Sequence, residues 1–195
     1  MRYMIAHMIL GDAKDYHVNL SRALASAYRL RPVTANIDPH ITVKAPFDAL
    51  STDLYDVERL IDRYVRTKSP LSYSMKGFGN FDGRVVYMNV DAGDEVLEFI
   101  KGLKDELHDI PWLEFKPHEE DSKLHVTLAY PKDAPQADEI VAKLTERGGK
   151  EFTGTINSIV ILRKGERRWE MFKEYKFGGE DGTGPGLTGT EDIVI

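Results

Sequence analysis

The stretches "DPHITVKAP" (residues 38–46) and "KLHVTLAYP" (residues 123–131) decide the fold of this chain. Each sets a histidine and a threonine two residues apart inside a short apolar run. This pattern is typical of a β-strand with one buried face, because successive side chains of a strand point to opposite sides. Each strand therefore presents an imidazole beside a hydroxyl, over an apolar underside.

The same alternation predicts which neighbours share the polar face of each strand. In the first strand Lys44 should lie on the side of His40 and Thr42. In the second, Tyr130 should lie on the side opposite His125. We therefore expect an ammonium group near one imidazole and no equivalent cation near the other.

The predicted elements around the two strands repeat in order. Each histidine strand lies between two helices, and two β-rich runs follow. The runs "LSYSMKGF" and "RVVYMNVD" read as a hairpin, while "FTGTINSIVILR" and "RWEMFKEYKF" read as the last two strands. A further buried strand, "YMIAHMIL", opens the chain. Because each half alone is small for a stable core, we predict one α+β domain over 1–178, with a lobe from each repeat.

Residues 179–195, "GEDGTGPGLTGTEDIVI", differ in composition from the rest. They are rich in glycine and threonine and show no periodicity, which is typical of a flexible extension. The three apolar residues at the end leave docking onto the body or onto another chain as an alternative.

Composition excludes several functional classes. The 195 residues carry a formal net charge of −6, which argues against extended binding to DNA or RNA, because such binding depends on lysine and arginine. The absence of cysteine excludes disulfides and Cys-ligated metals. The N-terminal apolar run is too short and too polar to span a membrane. We therefore expect a cytoplasmic, monomeric protein that acts on a small molecule or an RNA end.

Two histidines and two threonines in one cleft suit the cleavage of a phosphodiester. That reaction needs a base to activate water, an acid to protonate the departing oxygen, and donors for the phosphate oxygens. Histidine can fill both proton-transfer roles near neutral pH. We predict that His40 and His125 are catalytic and that Thr42, Thr127 and Lys44 hold the phosphate, without a metal or cofactor.

The paired stretches, "PHITVKAPF" and "LHVTLAY", resemble the 2H phosphoesterase superfamily, which includes 2′-5′ RNA ligases and RNA 2′,3′-cyclic phosphodiesterases. The resemblance covers about residues 1–178. It implies a bilobal, pseudo-twofold α+β fold in which two antiparallel sheets line a central cleft and helices lie outside. It also implies that His125 activates water and that His40 protonates the leaving 3′ oxygen. The expected activity is hydrolysis of a 2′,3′-cyclic phosphate, with weak 2′-5′ ligation as the reverse reaction.

Two departures from the family pattern concern the substrate. Many members carry an arginine five residues after the second histidine, where this chain has Tyr130, which we take as a substrate contact. Phe115 and Pro117, which members often place directly before the second histidine, are separated from His125 by an acidic insertion. Alternative hypotheses are therefore a different cyclic phosphate, a 2′-5′ diester, or an RNA-end-binding module without turnover.

Other polar clusters are weaker candidates. The run 118–121 offers a histidine and three carboxylates for a metal, although consecutive residues rarely face one ion, and a solvated loop is the better interpretation. "RKGERR" (163–168) is predicted as a basic hairpin tip that could contact phosphate. His7 alternates with apolar residues and should be a core histidine. His17 and His108 receive no role.

Three aromatic residues on β-rich runs, Tyr73, Phe78 and Trp169, are candidates for stacking on a base. Aromatic residues in such positions more often form cross-strand pairs or fill the core. Stacking therefore remains the secondary hypothesis for all three.

Overall fold

The computed structural model describes residues 1–120 and 123–178, without the side chains of His118 and Glu120. The predicted extension over 179–195 lies outside the described residues. The elements in chain order are β1 (Arg2–Met8), α1 (Gly11–Tyr28), a 3₁₀ turn (Val33–Ala35), β2 (His40–Asp48), α2 (Ser51–Arg66), β3 (Leu71–Phe81), β4 (Val85–Ala92), α3 (Asp94–His108), α4 (Pro117–Glu120), β5 (His125–Ala129), α5 (Ala134–Arg147), β6 (Phe152–Ile156), β7 (Ser158–Lys164) and β8 (Trp169–Lys176).

The strands form two four-stranded antiparallel sheets, which confirms the predicted α+β class. Sheet A has the order β2-β1-β7-β8 and sheet B the order β5-β4-β3-β6. The two strands that carry the His-x-Thr motifs, β2 and β5, are edge strands of different sheets. They contact each other across the gap between the sheets. The fold therefore brings the two motifs to one place.

The helices form where apolar residues recur at helical spacing. In α2 the buried side chains are Leu54, Val57, Leu60, Ile61 and Val65, which lie on one stripe. Helix α5 begins at a side-chain cap, because the Asp133 carboxylate accepts a hydrogen bond from the Gln136 backbone N–H at 2.9 Å. These amphipathic faces join the inner faces of both sheets in one large core.

The predicted strand over "FTGTINSIVILR" is wrong in one respect, because it is two strands rather than one. β6 pairs with β3 in sheet B, whereas β7 pairs with β1 in sheet A, and Asn157 separates them. The burial differs accordingly. β6 alternates between exposed and covered residues as an edge strand does, while β7 is buried over its first five residues as a central strand. The run therefore contained two patterns that we read as one.

The sheets also do not divide along the predicted repeat boundary. Sheet A joins strands from both ends of the chain, within residues 2–48 and 158–176, while sheet B takes strands within 71–156. In each half a strand, a helix and a motif strand follow one another, as β1-α1-β2 and β4-α3-β5. The chain then crosses to the other sheet. After α2 it enters sheet B at β3, which lies beside β4, and after α5 and β6 it returns to sheet A at β7, which lies beside β1. This exchange interlocks the two halves.

Candidate active site

The motif histidines are held in the same way on β2 and β5. His40 Nδ1 lies 2.8 Å from the Asp38 carbonyl oxygen, and His125 Nδ1 lies 2.8 Å from the Lys123 carbonyl oxygen. A carbonyl oxygen can only accept, so each Nδ1 carries the hydrogen. Each neutral imidazole therefore keeps a lone pair on Nε2, where a proton can be taken up or given. The two halves repeat this device 85 residues apart.

The environment favours the neutral form of both imidazoles. Burial lowers the pKa of His40, the hydrogen bond to Asp38 opposes this shift, and the nearby charge of His125 lowers the pKa further. Burial also lowers the pKa of His125, although its bond to the Lys123 carbonyl acts in the opposite direction. The ammonium of Lys123 adds to the lowering. The effect of His125 on the pKa of His40 agrees with the contact between β2 and β5, which brings the two motif strands together.

A β-bulge follows each motif and changes what lies beside it. In the first half Thr42 pairs with Ala6 and Lys44 with Ile5, so that Val43 has no partner on β1. In the second half Thr127 pairs with Tyr87 and Ala129 with Val86, so that Leu128 has no partner on β4. An extra residue of this kind reverses the alternation of the side chains that come after it. (Both bulges begin one residue beyond the threonine.)

The bulge at Val43 turns Lys44 away from His40 and Thr42. Val43 and Lys44 are both buried, and the Lys44 side chain is only 1% exposed. Its ammonium donates to a carboxylate oxygen of Glu119 at 2.8 Å and lies 4.4 Å from the centre of the Phe115 ring. The structure thus does not offer Lys44 to a ligand, in contrast to the expectation from strict alternation.

Glu119 belongs to the acidic insertion and is buried with Lys44. One carboxylate oxygen also accepts from the Ala45 N–H at 3.1 Å, and the other accepts from the Lys116 N–H at 3.1 Å. The nearby charge and these hydrogen bonds outweigh burial, so the pKa of Glu119 is lowered. Glu119 therefore fixes the insertion to β2 just after the first motif. Of the remaining metal candidates in 118–121, Asp121 and the side chains of His118 and Glu120 lie outside the described residues.

The bulge at Leu128 has the opposite consequence for Tyr130. Tyr130 was expected on the face away from His125, but it follows the bulge, and the Thr127 side chain affects the pKa of its phenol. The residue is 57% exposed. Local burial raises the pKa of the phenol, and the interaction with Thr127 lowers it again in part. The phenol thus remains a hydrogen-bond donor at neutral pH. The structure places Tyr130 beside the second motif.

Two aromatic rings from sheet B surround His125. The Phe81 ring meets the imidazole edge to face at 4.8 Å between ring centres, and Tyr87 lies 5.3 Å away. Phe81 and Tyr87 stack on each other at 4.2 Å. Lys123 donates to Asn89 at 2.7 Å on the same side of the sheet. We did not single out Phe81 or Tyr87 from the sequence, because their turn and strand positions carried no motif.

Helix α1 brings a third histidine to the motifs. His17 is fully buried, its Nε2 lies 2.8 Å from the Thr127 carbonyl oxygen, and His40 contributes to its pKa shift. Ser21 Oγ donates to the next carbonyl, that of Leu128, at 2.8 Å. Sequence reasoning gave His17 no role. Its only signal was a histidine on the apolar stripe of a helix, a position that few histidines take without a polar partner.

The loop before β2 is fixed by charges from two other elements. The Asp38 carboxylate accepts from Lys14 at 2.9 Å and also pairs with Arg168 of the β7–β8 hairpin. The pKa of Asp38 is lowered by these two partners, against the effect of burial. Within the predicted basic tip 163–168, Arg168 therefore binds the same residue whose carbonyl orients His40.

Most of the other candidates are structural. His7 is buried and bonds the Ser158 carbonyl through Nδ1 at 3.1 Å, which confirms the predicted core histidine. Tyr73 is buried beside His7, and Trp169 packs on a small apolar cluster of sheet A. Phe78 packs against the main core. None of these three aromatic residues is among the ring contacts of the motif histidines.

The described residues contain no group of three or more His, Asp or Glu side chains placed to share a metal ion. Within the same part of the chain, no helix combines the length and apolarity that a membrane span requires.

Comparison with known proteins agrees with this geometry. The family model of the 2′-5′ RNA ligase superfamily matches residues 17–168. A Bacillus pumilus (strain SAFR-032) protein named "Putative phosphoesterase" is 26% identical over 164 residues, which cover 80% of this chain and 91% of that protein.

Solved structures share the fold. The Thermus thermophilus protein TT0787 is 19% identical with a TM-score of 0.61, and the match covers 92% of this chain and 100% of TT0787. Escherichia coli LigT, solved in complex with 3′-AMP, is 12% identical with a TM-score of 0.66, and the match covers 91% of this chain and 98% of LigT.

The two sheets and the paired His-x-Thr strands define a 2H phosphoesterase. This chain belongs to the 2′-5′ RNA ligase superfamily, whose model spans most of its length and both motifs.

Proposed function

We propose that this protein hydrolyses a 2′,3′-cyclic phosphate, on a nucleotide or at an RNA end, by two-histidine acid–base catalysis without a metal. The observation that carries the proposal is the matched pair of imidazoles. His40 and His125 lie on two strands that contact each other, and each has Nδ1 bonded to a backbone carbonyl, which leaves Nε2 for proton transfer. Phosphodiester cleavage needs one group that accepts a proton and one that donates a proton, and two such imidazoles can supply both.

In the proposed reaction His125 acts as the base and His40 as the acid. Neutral His125 takes a proton from water through Nε2 while the water oxygen forms a bond to phosphorus. The bond between phosphorus and the 3′ oxygen breaks, and protonated His40 gives its proton to that oxygen. The product is a 2′-phosphomonoester, and exchange with solvent returns the two imidazoles to their starting states.

Hydroxyl groups hold the phosphate in this proposal. Thr42 and Thr127 lie on the same strand faces as their histidines. The bulge at Leu128 reverses the alternation and so directs Tyr130 to the side of Thr127, which affects the pKa of its phenol. Neutral donors aimed at the phosphate oxygens stabilise the charge that develops during the reaction. Lys44 is omitted from this set because Glu119 neutralises it.

The rest of the cleft fits a nucleoside. Phe81 and Tyr87 give sheet B an aromatic surface beside His125, and aromatic rings stack on bases of any sequence. The complex of LigT with 3′-AMP, a nucleoside monophosphate, supports a ligand of this kind for the shared fold. Tyr130, where many relatives have arginine, favours a substrate with little charge beyond the reacting phosphate. A small cyclic phosphate other than that of RNA, or a 2′-5′ diester, is therefore the second candidate.

The test is a substrate panel assayed in EDTA. The panel contains 2′,3′-cyclic nucleotides, RNA with a 2′,3′-cyclic end, 3′,5′-cyclic nucleotides and 2′-5′ dinucleotides, with ³¹P NMR to identify the products. We expect turnover of the 2′,3′-cyclic compounds to the 2′-phosphomonoester, unaffected by EDTA. The 3′-phosphate as product would reverse the roles of the histidines. Loss of activity in EDTA, or tight binding without turnover, would contradict the proposal.

A further inference from the structure

Helix α1 donates two hydrogen bonds to β5 at the point where the second motif ends. His17 Nε2 donates to the Thr127 carbonyl, and Ser21 Oγ donates to the Leu128 carbonyl, each at 2.8 Å. In a regular strand consecutive carbonyls point in opposite directions, toward two different neighbours. Here both accept from the same helix, because the bulge leaves Leu128 without a partner on β4.

Burying a histidine at position 17 lowers the stability of the fold, which suggests that His17 has a specific role there. Its side chain is fully buried, its Nδ1 has no hydrogen-bond partner within the described part of the chain, and burial lowers its pKa to about 4. A buried polar atom without a partner destabilises the fold, and an apolar residue would fill the space without that cost. What His17 supplies in return is the Nε2–H that satisfies the Thr127 carbonyl.

The bulge that His17 and Ser21 support decides where Tyr130 lies. Without the extra residue at Leu128, alternation would direct Tyr130 away from His125 and Thr127. With it, the alternation is reversed and directs Tyr130 toward Thr127, whose side chain lowers the pKa of the Tyr130 phenol. We propose that His17 and Ser21 are positioning residues, which hold the bulge at Leu128 so that the Thr127 and Tyr130 hydroxyls face the substrate phosphate together. This inference rests on the proposed function of the cleft.

The first half holds its equivalent bulge by a different device. Ala45 stands 85 residues before Tyr130, and its N–H is bound by Glu119 of the insertion rather than by a helix. Each bulge thus has its own support from outside its sheet. Of these two bulges, only the one at Leu128 directs a polar side chain, that of Tyr130, toward its motif. The residues that support this bulge can therefore affect substrate binding.

The test compares substitutions of His17 that differ in their donor. His17→Gln places an amide N–H near the position of Nε2 and keeps the bond to Thr127, whereas His17→Leu removes the donor at similar volume. Ser21→Ala removes the second bond alone. Leu24→Val, on the same helix and buried in the core, is the control for general loosening of α1.

We expect His17→Leu to lower kcat/KM for the 2′,3′-cyclic substrate by about 10–100-fold, the scale of a small misplacement of a binding group. The kcat/KM of His17→Gln should stay within about 3-fold of that of the parent. Leu24→Val should keep the parent's activity even if its Tm falls as much as that of His17→Leu. In a Tyr130→Phe background the effect of His17→Leu should shrink, because residues that act together are not additive. Equal losses in His17→Leu and Leu24→Val, or a full effect in the Tyr130→Phe background, would overturn the inference.

A readout without turnover separates this inference from the proposed function. In protein labelled with ¹³C-tyrosine, the Tyr130 ring signal is identified by its absence in Tyr130→Phe. The chemical shift of this signal should change in His17→Leu and in Ser21→Ala. It should be unchanged in His17→Gln and in Leu24→Val. If the parent has no activity on cyclic phosphates but the signal behaves this way, only the proposed function fails. An unmoved signal in both His17→Leu and Ser21→Ala would contradict the positioning role, and if His17→Leu does not fold, Ser21→Ala and His17→Gln decide.

Discussion

In the proposed reaction, His40 and His125 have different roles, although both imidazoles are oriented by a backbone carbonyl. The carbonyl that orients His40 belongs to an acidic residue, Asp38, and the one that orients His125 belongs to a basic residue, Lys123. The charge of Asp38 raises the pKa of His40, whereas that of Lys123 lowers the pKa of His125. This difference, although smaller than the effect of burial, agrees with His40 as the proton donor.

The first prediction concerns the pH dependence of kcat/KM. The pKa values of His40 and His125 are both lowered from their usual value near 6.5. A reaction that needs one imidazole neutral and the other protonated has a bell-shaped profile, which reports the pKa values of the free enzyme. We therefore expect the maximum below pH 6.5. A profile that rises steadily to pH 8 would contradict two titrating imidazoles of this kind.

The second prediction concerns His17 and stability. Its pKa is about 4 in the folded chain, against 6.5 for an ordinary histidine, so the unfolded state binds the proton more readily. The stabilisation from neutral His17 is complete above pH 6.5 and is lost as the pH falls toward 4, by about 3 kcal/mol in total. Urea unfolding of the parent and of His17→Gln at several pH values measures this. The difference between the two stability curves should be constant above pH 6.5 and should change by about 3 kcal/mol as the pH falls toward 4. Curves that stay parallel over the whole range would show that His17 is not buried neutral.

At the scale of elements, the sequence predicted the strands well and the bulges not at all. Both motif strands, and the faces of their histidines and threonines, follow from alternation of apolar and polar residues. The bulges reverse that alternation after Thr42 and Thr127. The residues at the bulge positions, Val43 and Leu128, are ordinary strand residues and give no sign of a bulge in the sequence. They depend on Glu119 and on helix α1, which are distant in sequence. The predicted positions of Lys44 and Tyr130 differ from the structure for this reason.

The third prediction is that the insertion contributes to stability through its buried ion pair. In Glu119→Gln the amide oxygen can still accept from one of the two backbone N–H groups, that of Ala45 or that of Lys116. The other N–H loses its acceptor, and the Lys44 ammonium, 1% exposed, loses its counter-ion. Breaking a buried pair in this way costs about 3–5 kcal/mol. Glu106→Gln is the matched control, because Glu106 pairs with Arg63, which is 73% exposed, and such pairs contribute at most about 1 kcal/mol. Equal changes in the free energy of unfolding would contradict the structural role of Lys44.

For the whole molecule, the order of elements was predictable and the exchange of strands between the halves was not. Hydrophobic periodicity identifies each element and the doubled motif. It does not tell which sheet a strand joins, since that depends on pairing between distant segments such as β1 and β7. Sheet A needs both ends of the described chain. We therefore propose that residues 1–178 form one cooperative domain rather than two separable lobes.

The fourth prediction follows from this exchange. The chain has two tryptophans: Trp169 lies on β8 of sheet A, and Trp112 lies between α3 and β5, where it contacts Phe47. The variants Trp112→Phe and Trp169→Phe each leave one tryptophan. Trp169 reports on sheet A, and Trp112 reports on the contact of the segment between α3 and β5 with Phe47 of β2. Their fluorescence transitions in urea should coincide with loss of the helical CD signal, as a two-state domain requires. Separate midpoints for the probes within one variant would show independent lobes.

The central claim is tested most directly by the turnover of a 2′,3′-cyclic nucleotide by His40→Ala and His125→Ala, in EDTA and at the pH optimum of the parent. Each substitution removes one proton-transfer group and should lower kcat by about 10²–10⁴-fold. His108→Ala, which changes an exposed histidine at the end of α3, is the control and should leave kcat unchanged. Near-parental turnover in either active-site variant would contradict the acid–base pair.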